Sequence, residues 1–387
     1  MKRLINFALL MGILMVFLPG NAQAFMGICC GKCGGNMPMN IPGGGIPETK
    51  EFRFKVTPTF MRMDGLRNRT SSVDPGSLLG MPAAGKFMAV PTSMDMSMLN
   101  IAAGYSFTDD FFAGVMGMYQ INSMEMKFNA PMTTMTGAPG YQMESSGFAD
   151  TMLMAKYRLF ADDPLIPTSQ ASLFMGVSLP TGSISERNTT HPLTMRQTEL
   201  LPYGMQLGSG TFDPMLGVTY QGSTSPWWWG LNGIFTGRFD NNNQGYRKGN
   251  RVNADAYLMY QTRYDTVLEL QLNYEWEGSI HGEANEALSG ASGHAMKGNP
   301  NSPYMTPSWN PNNYGGQNLF TTLGVQWQPV PMHIINAQVG LPLYRNINGP
   351  QLERDWRISL TWYVEFPTKG SVRYTGQTSD KPSSLGF

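Results

Sequence analysis

The sequence predicts an all-β fold, a transmembrane antiparallel up-and-down β-barrel of about twelve strands. Three observations lead there. About twelve segments of about ten residues alternate apolar and polar side chains with a period of two. The connections between them alternate short and long. Aromatic residues gather near the segment ends. Residues 356–366 show the alternation best: Trp356, Ile358, Leu360, Trp362, Val364 and Phe366 interleave with Arg357, Ser359, Thr361, Tyr363 and Glu365. A strand turns successive side chains to opposite faces, so this segment has one apolar and one wet face. Repeated around a closed ring, that pattern puts lipid outside and water inside.

The segments span residues 52–63, 94–107, 111–121, 149–160, 171–179, 215–221, 227–239, 252–264, 266–276, 319–327, 334–341 and 356–366. Short connections follow the second, fourth, sixth, eighth and tenth. They include Thr108-Asp109-Asp110, Asp265 and residues 222–226. Long ones follow the others, the longest covering about residues 278–317. Short turns on one side and long loops on the other are the outer-membrane arrangement, with both termini on the periplasmic side. The hairpins of a soluble sandwich have no reason to keep this alternation.

Upstream of the barrel, Lys2 and Arg3 precede an apolar run over residues 4–18, and Asn21-Ala22-Gln23-Ala24 offers a small-residue cleavage site. Residues 1–24 therefore read as a secretory signal peptide. Residues 25–48 are a Cys-, Met- and Gly-rich segment able to enter the lumen as a plug, residues 49–366 the barrel, and residues 367–387 a tail. Beyond the leader, no stretch reaches the ~18 apolar residues of a membrane helix. The expected location is a bacterial outer membrane. The expected partners are the lipid bilayer, the barrel-assembly machinery and a small solute. Charged residues are 14% of the chain and 27 basic residues balance 27 acidic ones, so a nucleic-acid partner is not expected.

The two-residue phase assigns the lumen. On the first four segments Met61, Met63, Met94, Met96, Met98, Met116, Met118, Met152 and Met154 point inward, with Asn100, Gln120 and Asn122 among them. Past Ile121 the phase inverts at Met124 and Met126, which implies a bulge or the exit from the bilayer. Nineteen of the 30 methionines lie in residues 25–155, so the bias belongs to one wall. Thioethers form flexible apolar surface suited to varied greasy molecules. They are also soft ligands that suit Cu(I). Cys29, Cys30 and Cys33, followed by Met37 and Met39, extend this second reading to a soft-metal site; no other cofactor is implied. The leading expectation is a passive conduit for small, hydrophobic solutes, with copper binding or transport as the alternative. An enzyme is not expected. A loop-borne hydrolase using Ser209, His191 or Asp213 is a further alternative, although Gly208-Ser209-Gly210 precedes a strand and so is no nucleophile elbow.

Two longer stretches carry a family resemblance: Leu179-Pro180-Thr181-Gly182-Ser183, and Pro202-Tyr203-Gly204-Met205-Gln206-Leu207-Gly208-Ser209-Gly210-Thr211-Phe212-Asp213-Pro214. Gly245–Asn250 and Gly349–Arg357 fit the same pattern. Over about residues 172–366 the chain resembles the outer-membrane transporters grouped with the meta-pathway phenol-degradation proteins. The resemblance implies an outer-membrane barrel that passes hydrophobic compounds. It carries over no catalytic residues. The Cys cluster and the methionine wall are not part of that pattern. In the motif itself, Gly208, Ser209 and Gly210 suit a tight inward fold of a loop, with Asp213 expected to accept hydrogen bonds from their amides.

Overall fold

The computed structural model describes residues 37–42, 49–163, 167–288 and 292–371. The leader, the three cysteines and residues 372–387 lie outside the described residues. The strands, in chain order, are β1 (Glu51–Arg69), β2 (Ser71–Val73), β3 (Ala89–Ser106), β4 (Phe111–Phe128), β5 (Gly140–Phe148), β6 (Thr151–Ala161), β7 (Ser169–Leu179), β8 (Asp213–Thr224), β9 (Trp227–Thr236), β10 (Tyr246–Arg247), β11 (Arg251–Arg263), β12 (Thr266–Glu277), β13 (His281–Gly282), β14 (Gly316–Val330) and β15 (His333–Pro367). Eleven of them form a closed antiparallel ring, β1-β3-β4-β6-β7-β8-β9-β11-β12-β14-β15 and back to β1. β2 flanks β1, β5 pairs with the upper half of β4 above β6, and β10 pairs with β13 outside the ring.

β15 hides a second stave. It is antiparallel to β14 from His333 to Ile347 and antiparallel to β1 from Gln351 to Pro367. Ten alternating elements separate β1 from β14 inclusively, so those two run in opposite directions, and β15 must double back. Three hydrogen bonds straddle the reversal: Glu365 N–H to Met332 O (3.1 Å), Ser359 Oγ to Gln338 Oε1 (3.2 Å) and Arg345 Nη1 to Arg354 O (2.7 Å). They converge on Asn348-Gly349, where Gly349 adopts φ +62°. Asn-Gly is a strong hairpin signal. The wall therefore has twelve staves, as the alternation predicts.

The outer face is apolar and bare. Leu231, Leu258, Leu268, Leu270, Leu272, Leu323, Ile358 and Leu360 all point outward. A soluble protein would not leave such a continuous band exposed. Aromatics rim it on both sides: Tyr157, Tyr220, Trp227, Tyr260, Trp327 and Phe366 near the short turns, and Tyr119, Phe148, Phe235 and Trp276 near the long loops. Inward positions are polar and buried, as at Thr57, Gln120, Asn232, Gln271, Thr322 and Ser359. No helix among the described residues is long and apolar enough to cross a membrane.

Several boundaries differ from the sequence reading. β1, β3, β4 and β14 are longer than the segments assigned to them, because the sheet continues above the lipid band. There the outer face turns polar and the expected alternation disappears. That is also why β5 was missed. Its outward Gln142, Glu144 and Ser146 look like a loop, while Met143 and Ser145 point inward and are buried. At Met124 and Met126 β4 keeps its own alternation and both side chains face inward: its register with β3 is unbroken from Phe112 to Glu125, and the one shift falls on β3, between Pro91 and Ser93. The inversion marks the exit from the bilayer. In place of the expected long loop between the eleventh and twelfth segments, β15 runs as a continuous hairpin.

Candidate functional site

The lumen is asymmetric. β1, β3, β4 and β6 contribute a wall of thioethers. Each methionine that the sequence assigned to the lumen lies on the inward face, in register with its neighbours: Met61 opposite Met96, Met63 opposite Met94, Met98 opposite Gln120, Asn100 opposite Met118, and Met116 opposite Met152. Met96 also faces Asn122, whose Nδ2 donates to Ser145 Oγ (3.1 Å). Met154 sits one row lower, opposite Gly114. The sequence did not identify Met124, Met126, Met143 or Met205, which complete the upper part of the wall. The far wall, on β11, β12, β14 and β15, is polar. Its centre is Glu269, whose Oε2 accepts from Gln338 Nε2 (2.7 Å) and Gln271 Nε2 (3.3 Å), while Gln326 Nε2 bonds to Oε1.

Residues 37–42 dock on that polar wall from inside. Gln326 Nε2 donates to Met37 O (3.1 Å), Asn40 Nδ2 to Gln271 Oε1 (3.0 Å), and Gln338 Nε2 to Asn40 Oδ1 (2.9 Å). From the opposite side Lys55 Nζ donates to Met39 O (3.0 Å). Met37 and Ile41 are fully buried against Trp228, Tyr257, Met259 and Val267 at the short-turn end. Met39 packs on Ile334 and Tyr363. This short piece thus spans the lower lumen between the two walls.

Among the described residues, two larger cavities lie along the thioether wall. The lower one, about 330 Å³, lies between residues 39–42 and Met98, Met116, Met118 and Met154, with Arg53, Lys55 and Arg357 on its rim. The upper one, about 290 Å³, is lined by Met63, Met94, Met96, Met124 and Met205 on one side and by Arg251, Glu275, Glu277 and Arg354 on the other. Met96 and Met98, two residues apart on one face of β3, line one cavity each, so the thioether surface is continuous between them.

Three loops roof the upper cavity and share a core of their own. Tyr203, between β7 and β8, packs its ring against Tyr246 (4.7 Å), Trp309 (5.4 Å) and Tyr314 (5.7 Å) from the two other loops. Its hydroxyl accepts from the Ala284 N–H (3.1 Å). Burial pushes the Tyr203 and Tyr314 hydroxyls well above the ordinary phenol range and Tyr246 up to about 12. Lys248, which also lines the upper cavity, is lowered to about 8, by burial first and then by the nearby Arg238.

The glycine motif fastens the β7–β8 loop to the wall, though not through the expected carboxylate. Asp150, in the break between β5 and β6, takes Ser209 N–H (2.7 Å), Ser209 Oγ (2.8 Å) and Gly182 N–H (2.9 Å). Asp213 instead accepts Thr211 Oγ1 (2.5 Å) and Arg238 Nε (3.0 Å), and Arg238 continues to Glu277 (2.9 Å). Gly210 carries φ +73°. The residues considered for a hydrolase are not brought together. Ser209 is engaged by Asp150, Asp213 by Arg238, and His191 packs against the stacked rings of Tyr141 (4.6 Å) and Phe128 (5.8 Å) with Nδ1 accepting from Leu193 N–H (3.0 Å). No local sequence signal marks Asp150 or Arg238, because each lies far along the chain from its partner, 59 residues for Asp150 and Ser209 and 25 for Arg238 and Asp213.

No protein-family model matches this chain, and no curated protein does either. Among solved structures it is similar to the COG4313 outer membrane channel from Pseudomonas putida F1, at 14% identity and a TM-score of 0.52 over 84% of this chain and 99% of that one. Weaker similarities include the P. putida toluene transporter TodX, with TM-score 0.39 and 9% identity over 82% and 91% of the two chains. Another is a FadL homologue from Pseudomonas aeruginosa, with TM-score 0.39 and 10% identity over 81% and 90%. At such identities the likeness is one of fold. With its apolar outer band, polar interior and closed antiparallel wall, the chain is an outer-membrane-type β-barrel.

Proposed function

We propose that this barrel is a passive conduit for small apolar solutes. One observation carries the reading: the thioether wall runs unbroken from the upper cavity to the lower one. Flexible, polarisable methionines offer weak contacts to ligands of many shapes, which lets a greasy molecule enter and leave. The roofing loops select at the mouth, and residues 37–42 narrow the exit. The similarity to an outer membrane channel and the sequence resemblance to transporters of hydrophobic compounds support the same role.

The test uses N-phenylnaphthylamine, a fluorescent apolar probe that an intact outer membrane excludes. Cells making the protein take the probe up several-fold faster than cells lacking it. Met98→Glu with Met118→Glu, which puts two charges on the lower wall, abolishes the gain. Uptake equal to that of cells without the protein would refute the proposal.

A further inference from the structure

Four methionines stand side by side at the top of the lumen. Met63 on β1 faces Met94 on β3, Met94 faces Met124 on β4, and Met124 faces Met143 on β5. Directly opposed same-face residues have Cβ atoms about 4.5–5.5 Å apart, well within the reach of thioether side chains. Met126 lies on the same face above this row and Met96 below it. Met205 descends onto the row from the β7–β8 loop, fully buried, and all seven belong to one contact cluster. The upper cavity is lined by Met63, Met94, Met96, Met124 and Met205, methionine side chains from four chain segments.

Packing alone does not call for this composition. A core is usually filled with Leu, Ile, Val and Phe, whose rotamers are better defined, and methionine is used sparingly as a gap filler. Several uncharged sulfur donors converging beside an open space suit a soft, low-charge ion and offer little to a hard one. We infer that the row formed by Met63, Met94 and Met124, closed from above by Met205, is a binding site for a soft monovalent metal ion, Cu(I) being the biological candidate. The site lies in the upper cavity of the proposed path, and metal binding there is read separately from solute uptake.

Silver(I) is the probe, since it shares the ligand preference without redox chemistry. The purified full-length barrel, with Cys29, Cys30 and Cys33 changed to Ser so that thiolates cannot compete, is titrated with silver nitrate in chloride-free buffer by calorimetry. A dissociation constant of about 1 μM or tighter is expected. Changing Met63, Met94 and Met124 together to Leu, which keeps the volume, weakens binding at least tenfold. Met98→Leu with Met118→Leu, in the lower cavity, leaves it unchanged. If heat-shift electrophoresis shows that the triple variant does not fold, Met205→Leu in the loop gives the same readout with a smaller loss. Absence of binding in the Cys-free protein, unchanged affinity in a folded upper-row variant, or an equal loss from the lower-cavity pair would each overturn the assignment. The Met98→Glu, Met118→Glu variant that tests the conduit is titrated in parallel: silver affinity retained there separates this outcome from a failure of the conduit reading.

Discussion

Asp150 and Ser209 hold the β7–β8 loop inside the barrel: the carboxylate receives both the backbone N–H and the hydroxyl of Ser209, at 2.7 and 2.8 Å. Hydrogen bonds to a charged group contribute about 1.5–3 kcal/mol each, and losing the acceptor also strands Gly182 N–H. Asp150→Ala is expected to destabilise the docked loop by roughly 3 kcal/mol. Protease cleavage within residues 180–212 should rise sharply while the barrel itself stays folded, as judged by gel mobility of the unheated protein.

Gly208 tests the same junction sterically. A Cβ there would stand 2.4 Å from Gly182 O and 2.7 Å from Asp150 Oδ1, and the nearer of these is backbone that cannot step aside. Gly208→Ala should therefore undock the loop at a cost of about 1–3 kcal/mol. Gly233→Ala serves as the control, because its Cβ would meet nothing within 4 Å. Urea titration in micelles compares the two.

His191 makes the loop sensitive to acid. Burial, helped by Arg196, lowers its pKa from 6.5 to about 4, so the folded loop holds a neutral ring. The undocked loop takes up a proton near pH 6.5 and the docked one does not. Docking stability is therefore full above about pH 6.5, is lost as pH falls toward 4, and changes no further below that. Glu199 beside Arg196 is raised by burial and acts in the opposite sense, so the His191→Gln variant is needed to isolate the effect. Proteolysis rates at pH 7.5 and 4.5 should differ more in the parent than in His191→Gln.

The lipid band makes a depth-dependent claim. Leu270 points outward between Leu258 and Leu323, its register partners on the neighbouring strands. Leu270→Arg should cost about 2–4 kcal/mol in folding from urea into bilayers. Glu144→Arg, on the outer face above the band, should stay within about 0.5 kcal/mol of the parent. Similar costs at the two positions would mean that the band is not where lipid lies.

The wall was legible in the sequence because lipid enforces it. Every stave crossing the bilayer must be apolar outside, and a period of two survives even where no single segment is hydrophobic. Above the band that constraint ends. Water then wets the outer face and the loops pack against the inner one, so Met124, Met126 and Met143 appear out of phase although β4 keeps its own alternation throughout. The inward methionines were readable from parity alone. Their upper row was not, because it depends on the register among β1, β3, β4 and β5 and on Met205 arriving from another loop. The Gly208–Gly210 block announced a close backbone approach but not its partner. A carboxylate such as Asp150 can lie anywhere along the chain, and only the fold brings it under Ser209.

The segment that carries Met37, Asn40 and Ile41 narrows the lumen from within. Single-channel conductance in planar bilayers tests this directly, comparing the full chain with one lacking residues 25–48; the first strand of the ring begins at Glu51. The full chain should show a small conductance. The shortened one should conduct several-fold more, since the polar wall around Glu269 and Gln271 is then open to water. Equal conductances would contradict the account, placing the constriction elsewhere.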